Sequence, residues 1–190
     1  QRVIEAVLDL AADAGVDDVH IIAALALHRR MTEAELRHAV GDRVYDAFAP
    51  RGLLYQHDAE DPEALAYIGA TPQGEDVEIN KRAANSDLLV YVNINLVAMD
   101  GGWKSTATGL SSYKSLQHHH NPKTMEASHS FMDQHKSELH KSNWRMGKVL
   151  VDSGVKVFQV ETTMNTDTFP KPFDFLSKRE WEWNAKDRAT

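Results

Sequence analysis

Short apolar runs alternate with amphipathic segments along this chain, and that alternation limits its fold more than any other sequence feature. Residues 20–27 form a continuous apolar run, 87–96 are rich in β-branched and aromatic side chains, and 155–160 repeat valine. All three patterns are typical of buried strands. Residues 2–14 and 32–40 instead repeat apolar positions at helical spacing. Strands that alternate with helices predict an α/β domain of three layers, in which helices flank a largely parallel sheet.

Capping and glycine signals predict where the helices begin and end. Thr32 followed by Glu35 has the spacing of a capping box, which predicts a helix through Val40 that ends at Gly41. Gly15 is predicted to end the first helix in the same way. The other predicted features are short helices at 43–49 and near 81–84, a strand at 53–57, a polar loop at 58–62, a turn at 69–74, an irregular glycine- and serine-containing segment at 100–112, a surface helix or helix pair at 123–146, and a terminal helix at 177–188 with Trp181 and Trp183.

The chain contains no cysteine, which limits the chemistry it can perform. Disulfides, thiolate nucleophiles, iron–sulfur clusters and thiolate zinc sites are excluded. A metal must therefore be bound by imidazole, by carboxylate or by ligands that the metal brings with it.

Charge and hydropathy indicate which partners to expect. The formal net charge of -7 argues against nucleic acid, which favours a basic surface. No apolar run approaches the length of a membrane span, so we expect no membrane partner and a cytoplasmic location. The sequence starts at Gln1 inside a helical pattern, which we interpret as part of a longer protein.

His28 directly follows the first apolar run, and a glycine turn follows the strand predicted at 87–96. Ligands of open parallel sheets bind beyond the carboxyl ends of the strands, so both positions are expected at one functional edge. An imidazole there can act as a base near neutral pH. The alternative is a hydrogen-bonded histidine that only stabilises the turn.

The glycine turn consists of Gly101 and Gly102, and Lys104 follows it. Glycines let backbone amides approach a ligand closely, and a lysine can pair with phosphate or act as an amine nucleophile. The spacing is not that of a P-loop, so binding of a nucleoside triphosphate is not predicted. A domain that binds phosphate or a small anion at this turn without enzymatic activity remains an alternative.

Three consecutive histidines, His118, His119 and His120, form the densest histidine cluster. They cannot all bind one metal ion, because neighbouring side chains diverge. One of them can be a ligand while the others pack or face solvent; the alternative is a polar loop with no ligand at all. Three later histidines are predicted to face solvent: His129, His135 and His140.

Three separated segments together resemble one family, the LarA-type lactate racemases, in their N-terminal domain. The run Ala-Leu-His-Arg-Arg-Met-Thr-Glu-Ala-Glu-Leu that contains His28 is similar to that family's GTHRPMTEEEL segment. The sequence Gly-Gly-Trp-Lys that ends at Lys104 is similar to GGRK, and Ser112-Tyr113 with His120-Asn121-Pro122 is similar to GYET…NHNP. The spacings between His28, Lys104 and His120 match the family without a gap.

This resemblance implies an isomerase that racemises or epimerises a small 2-hydroxyacid with a nickel-pincer nucleotide cofactor. Lys104, next to Gly101 and Gly102, would join the cofactor as a thioamide, and His120 would bind the nickel. His28 would be the general base that takes the hydroxyl proton of the substrate. Residues 1–190 would be a single cofactor-binding domain of a two-domain protein, without its early strand and its C-terminal domain, and proteins of cofactor biosynthesis would load it.

One position departs from the family. The family's second catalytic histidine follows the strand that corresponds to 87–96, where this chain has Ile94 and Asn95. His118 or His119 could replace it, the substrate could require a single base, or the chain could be a divergent homologue with a changed activity. A redox or epimerase activity on a larger sugar acid is a further alternative.

Overall fold

Helices and strands are interspersed along residues 1–96 and 99–163, which are the residues that this computed structural model describes. In chain order the elements are α1 (Arg2–Asp13), β1 (Ile21–Ala23), α2 (Glu33–Val40), α3 (Asp42–Phe48), β2 (Leu54–Gln56), β3 (Leu65–Ala70), β4 (Asp76–Asn80), α4 (Lys81–Ala84), β5 (Leu88–Asn95), α5 (Trp103–Gly109), α6 (Tyr113–Leu116), α7 (Pro122–Ala127), α8 (Glu138–Asp152) and β6 (Lys156–Thr163), with short 3₁₀ turns at Ala49–Arg51 and Pro62–Ala64. The helix predicted at 177–188, with Trp181 and Trp183, lies outside the described residues.

The strands of this part of the chain pair in three two-stranded sheets. Strands β1 and β2 are parallel, β5 and β6 are parallel over eight residue pairs, and β3 and β4 form an antiparallel hairpin. The α/β class is therefore confirmed, with parallel pairs that are not joined by ladder hydrogen bonds into one continuous sheet. The apolar run at 20–27 contributes only three strand residues, because the backbone turns at Ala26, where φ is 50°.

The first core lies under α1, α2 and α3. The predicted capping box is confirmed, since the Thr32 side chain accepts from the Glu35 amide and the Glu35 carboxylate accepts from the Thr32 amide at 2.8 Å. Gly41 ends α2 with φ of 90°. The buried side chains of this core are Leu36, Val40, Val44 and Leu54, against which Ile4 and Leu8 of α1 pack.

The second core joins the hairpin, α5 and α8. Its buried side chains are Val77, Ile79, Ala83, Ala107, Leu110, Met146, Leu150 and Val155. The two helices approach closely because a glycine faces an indole: a Cβ added at Gly147 would lie 2.2 Å from the Trp103 ring. Helix α8 is thus partly buried and not the surface helix that the sequence predicted. Among the described helices, none is long and apolar enough to cross a membrane.

Candidate functional site

The glycine turn lies between β5 and α5 and is filled by a carboxylate of the protein itself. Gly101 and Gly102 have φ of 82° and 57°, values that favour glycine. The Gly102 amide donates to the Glu161 carboxylate on β6, and Asn95 Nδ2 donates to the same carboxylate at 3.1 Å. A Cβ at Gly101 would lie 2.6 Å from a Glu161 oxygen. Both glycines are therefore required by the turn, and Glu161 is a partner that sequence reasoning missed.

Lys104 lies in the first turn of α5, at the edge of the strand pair where it was predicted. Its Nζ is 3.0 Å from Asp100 Oδ1, and the two side chains are only 21% and 23% exposed. Asp100 precedes the glycine turn and Lys104 follows it, so the ion pair holds the lysine against that turn. The cation that could meet a ligand is thus ordered before any ligand binds.

His120 lies in the turn between α6 and α7. Its amide donates to the Leu116 carbonyl at 2.8 Å, and Asn121 next to it caps α7 by accepting from the Thr124 amide. Neighbouring protein atoms and, secondly, the Lys104 ammonium lower the pKa of His120, although the residue is partly accessible to solvent. Lys104 is therefore near enough for its charge to act on the His120 ring. That the two residues contact one cofactor stays a prediction.

The other two histidines of the cluster are held by the protein. His118 Nε2 accepts from the Asp76 amide at 3.1 Å. His119 is 0% exposed, between Thr108 Oγ1 at 3.4 Å and Ser142 Oγ at 3.3 Å. Burial, and then the neighbouring His120, lower the pKa of His119 to about 3, so it is neutral at physiological pH. Neither side chain is presented to a substrate as the missing second base.

His28 lies on the turn that follows β1, at the carboxyl end of that strand. Its amide donates to the Leu25 carbonyl at 2.8 Å, and its side chain is exposed. The Ala26 amide donates to the Gly109 carbonyl at 3.0 Å, which ties this turn to the last residue of α5. Lys104 is five residues, or about 7.5 Å along the helix axis, from that point. No contact between His28 and Lys104 or His120 is seen among the described residues.

The position of the absent family histidine is apolar. Ile94 is 59% exposed near the carboxyl end of β5, and the adjacent Asn95 is buried against Glu161.

One other histidine differs from its prediction: His140, expected to face solvent, is 9% exposed and its Nε2 is 3.0 Å from the Met99 carbonyl oxygen, next to the glycine turn. Its place on the buried face of α8 follows from tertiary packing, which helical spacing in a polar segment does not reveal.

The donor set of this site suits a group that carries its own metal ligands. Within the described ranges, no three side chains among histidine, aspartate and glutamate come together in a way that could hold a metal ion. The site instead offers one accessible imidazole, His120, beside one amine, Lys104.

Comparison with known proteins gives related results at the level of sequence and of structure. The family model for the lactate racemase N-terminal domain matches residues 1–133. The lactate racemase of Lactiplantibacillus plantarum is 31% identical over 106 residues, which are 54% of this chain and 24% of that protein. The lactate racemase of Thermoanaerobacterium thermosaccharolyticum is 30% identical over 107 residues, again 54% of this chain and 24% of that protein.

A solved structure shows the same fold. The lactate racemase apoprotein from Thermoanaerobacterium thermosaccharolyticum superposes with a TM-score of 0.69 at 21% identity, over 87% of this chain and 39% of that one. The matched segment thus spans about a quarter of the length of each curated relative.

Proposed function

Because the chain belongs to the lactate racemase family by its N-terminal domain, we propose that it is the cofactor-binding part of a racemase or epimerase of a 2-hydroxyacid. The observation that carries this proposal is the turn of Gly101 and Gly102 after β5, which places Lys104 in the first turn of α5. The exposed His120 lies near enough for the Lys104 charge to lower its pKa. In this proposal residues 1–190 act as one domain of a longer two-domain protein.

The proposed cofactor is a nickel-pincer nucleotide, attached to Lys104 as a thioamide and bound through its nickel by His120. When bound, it would supply the acceptor for the hydrogen that leaves the substrate carbon as hydride. The donor set supports this choice, since one imidazole and one amine are all the protein needs to provide. Lys104 must give up its ion pair with Asp100 for attachment, because an ammonium group has no lone pair with which to attack.

His28 is the proposed general base. It would take the hydroxyl proton of the substrate, for which an exposed imidazole at a strand end is suited. The backbone bond between Ala26 and Gly109 supports the role, because it fixes the histidine turn relative to the helix that carries Lys104. Ile94 stands where the family has its second catalytic histidine. We therefore expect either a substrate that needs a single base or a changed activity.

The structure offers no support for the alternative of a simple anion-binding domain. The Gly102 amide already donates to Glu161, and Lys104 already pairs with Asp100. Two carboxylates of the protein thus lie where a phosphate or small anion would have to bind. A substrate panel that compares lactate with longer hydroxyacids would test the alternative of an activity on a larger sugar acid.

The experiment that tests the proposal is intact-mass and nickel analysis of the full-length protein, produced together with the cofactor-making proteins that we propose as its loading partners. We expect nickel and a covalent adduct that maps to Lys104. The variant Lys104→Arg keeps the charge but cannot form a thioamide, so it should carry no adduct, whereas the exposed control Lys148→Arg should load normally. An unmodified Lys104 without nickel, under conditions that load a known relative, would overturn the proposal.

A further inference from the structure

Strand β6 holds Gly102 at both its amide and its carbonyl group. The Gly102 amide donates to the Glu161 carboxylate, and Gln159 Nε2 donates to the Gly102 carbonyl oxygen at 3.1 Å. Residues two apart on a strand lie on the same face, so both side chains reach the glycine turn from one side. Together they fix the backbone of Gly102, whose φ of 57° and ψ of -151° mark the start of α5. We call Gln159 and Glu161 the β6 clamp.

Side chains of the neighbouring strand β5 support the β6 clamp. Asn95, which is 1% exposed, donates through Nδ2 to Glu161 Oε2 at 3.1 Å, and its Oδ1 accepts from Asn93 Nδ2 at 2.9 Å. Buried polar groups cost free energy unless they are hydrogen-bonded, and a connected network of them favours one arrangement of its side chains. The network therefore determines where the Glu161 carboxylate lies.

Gly102 in turn determines where the first turn of α5, which carries Lys104, begins. The Ser105 amide donates to the Gly102 carbonyl oxygen at 3.1 Å, the same oxygen to which Gln159 donates. Lys104 lies two residues after Gly102, so a rotation of the backbone at Gly102 moves the lysine relative to the strands. Attachment of a cofactor requires the amine to leave Asp100, and from then on its position depends on where α5 begins.

We propose that Glu161 is a positioning residue. With Gln159 it fixes Gly102, and thereby the direction in which α5 presents the Lys104 amine once the ion pair with Asp100 is broken. The effect on the backbone follows from the hydrogen bonds of the β6 clamp. The consequence for cofactor attachment rests on the function proposed above, in which Lys104 forms the thioamide.

The test follows amide hydrogen exchange at Gly102 and Ser105 by nuclear magnetic resonance in the full-length protein. Glu161→Leu removes both acceptor oxygens at similar side-chain volume, whereas Glu161→Gln keeps one oxygen for the Gly102 amide. We expect slow exchange of both amides in the natural protein and in Glu161→Gln. In Glu161→Leu both should exchange roughly 10- to 100-fold faster, as expected for the loss of one hydrogen bond to a carboxylate.

The amides that pair β5 with β6 distinguish a positioning role from a general contribution to stability. They should keep their exchange rates in Glu161→Leu, and Lys156→Leu, at an exposed site on the same strand, should change no rate. If Glu161→Leu does not fold, Gln159→Leu replaces it, since loss of the bond to the Gly102 carbonyl should accelerate exchange at Ser105. The inference is overturned by fast exchange of Gly102 in the natural protein, by unchanged rates at Gly102 and Ser105 in the leucine variant, or by equal acceleration throughout β5 and β6.

The rate at which the Lys104 adduct forms during loading supplies the second readout. A misplacement of about 1 Å can cost roughly 100-fold in the rate of a reaction between bound groups. We expect a loss of about that size for Glu161→Leu, with rescue by Glu161→Gln and a normal rate for Lys156→Leu.

The two proposals fail separately. If the natural protein forms no adduct, the proposed function fails, while exchange at Gly102 and Ser105 still decides the role of Glu161. If the natural protein forms the adduct and Glu161→Leu forms it equally fast, only the positioning role is lost.

Discussion

At the scale of single residues, the site consists of charges that are already paired. Lys104 is paired with Asp100, and Glu161 accepts from the Gly102 amide and from Asn95. Such pairing orders the side chains that would meet a cofactor, because each is held by a near neighbour in sequence or on the adjacent strand. His28 differs from them: its side chain is exposed, and only its backbone is anchored.

That difference leads to a prediction for His28→Asn. Asparagine keeps a polar side chain of similar size but cannot take a proton at neutral pH, and loss of a general base typically costs about 10²- to 10⁴-fold in rate. We expect turnover of the loaded full-length protein to fall in that range while nickel and the Lys104 adduct remain. The exposed His38 provides the matched control His38→Asn, which should retain turnover. Normal turnover by His28→Asn would show that the base is another group.

At the scale of elements, sequence patterns predicted the helices and strands that are specified by local signals. The capping box of Thr32 and Glu35 predicted α2, and the β-branched run predicted β5. Helix α5 was missed, because most of its buried residues are serine, threonine and glycine, which carry little helical signal. The hairpin of β3 and β4 was missed because a register shift between Tyr67 and Gly69 interrupts the alternation of its strands.

The same distinction between local signals and contacts formed by folding applies to the residues of the site. Lys104 and His120 were singled out by the glycine turn, the histidine cluster and the family resemblance, and the charge of Lys104 acts on the His120 ring in the folded chain. The partners Glu161, Gln159 and Asn95 come from other elements and become neighbours only in the folded chain. Neither helical spacing nor strand alternation contains information on such contacts.

The contact between α5 and α8 gives a prediction at this scale for Gly147→Ala. Alanine improves intrinsic helix propensity by up to about 1 kcal/mol, but its methyl group would lie 2.2 Å from the Trp103 ring. Overpacking of this kind costs about 1–3 kcal/mol, so we expect a lower free energy of unfolding in urea. Because Trp103 precedes Lys104, nickel loading should fall as well. Lys148→Ala, exposed on the same helix, should change neither quantity; a stabilised Gly147→Ala would contradict the packing described here.

At the scale of the whole molecule, the ion pair of Glu75 and Arg145 couples the hairpin turn to α8. Burial alone would raise the pKa of Glu75, but hydrogen bonds from Arg145, Ser142 and Thr71 outweigh it and hold the pKa at about 2, against an ordinary value of 4.5. A lowered carboxyl pKa stabilises the folded state fully above 4.5, and this contribution disappears as the pH falls through 2. A difference of this size corresponds to about 3 kcal/mol.

The pH dependence of unfolding by urea should therefore separate this pair from an ordinary surface pair. We expect Arg145→Met to lower the free energy of unfolding by about 3 kcal/mol at neutral pH, since it leaves Glu75 buried without its cation. The deficit should shrink as the pH falls from 4.5 towards 2, where the natural protein loses the same contribution. Lys141→Met removes an exposed partner of Glu138 on the same helix and should cost less than about 1 kcal/mol at any pH. A deficit of Arg145→Met that stays constant down to pH 2 would mean that Arg145 stabilises the fold by its packing and not by its charge.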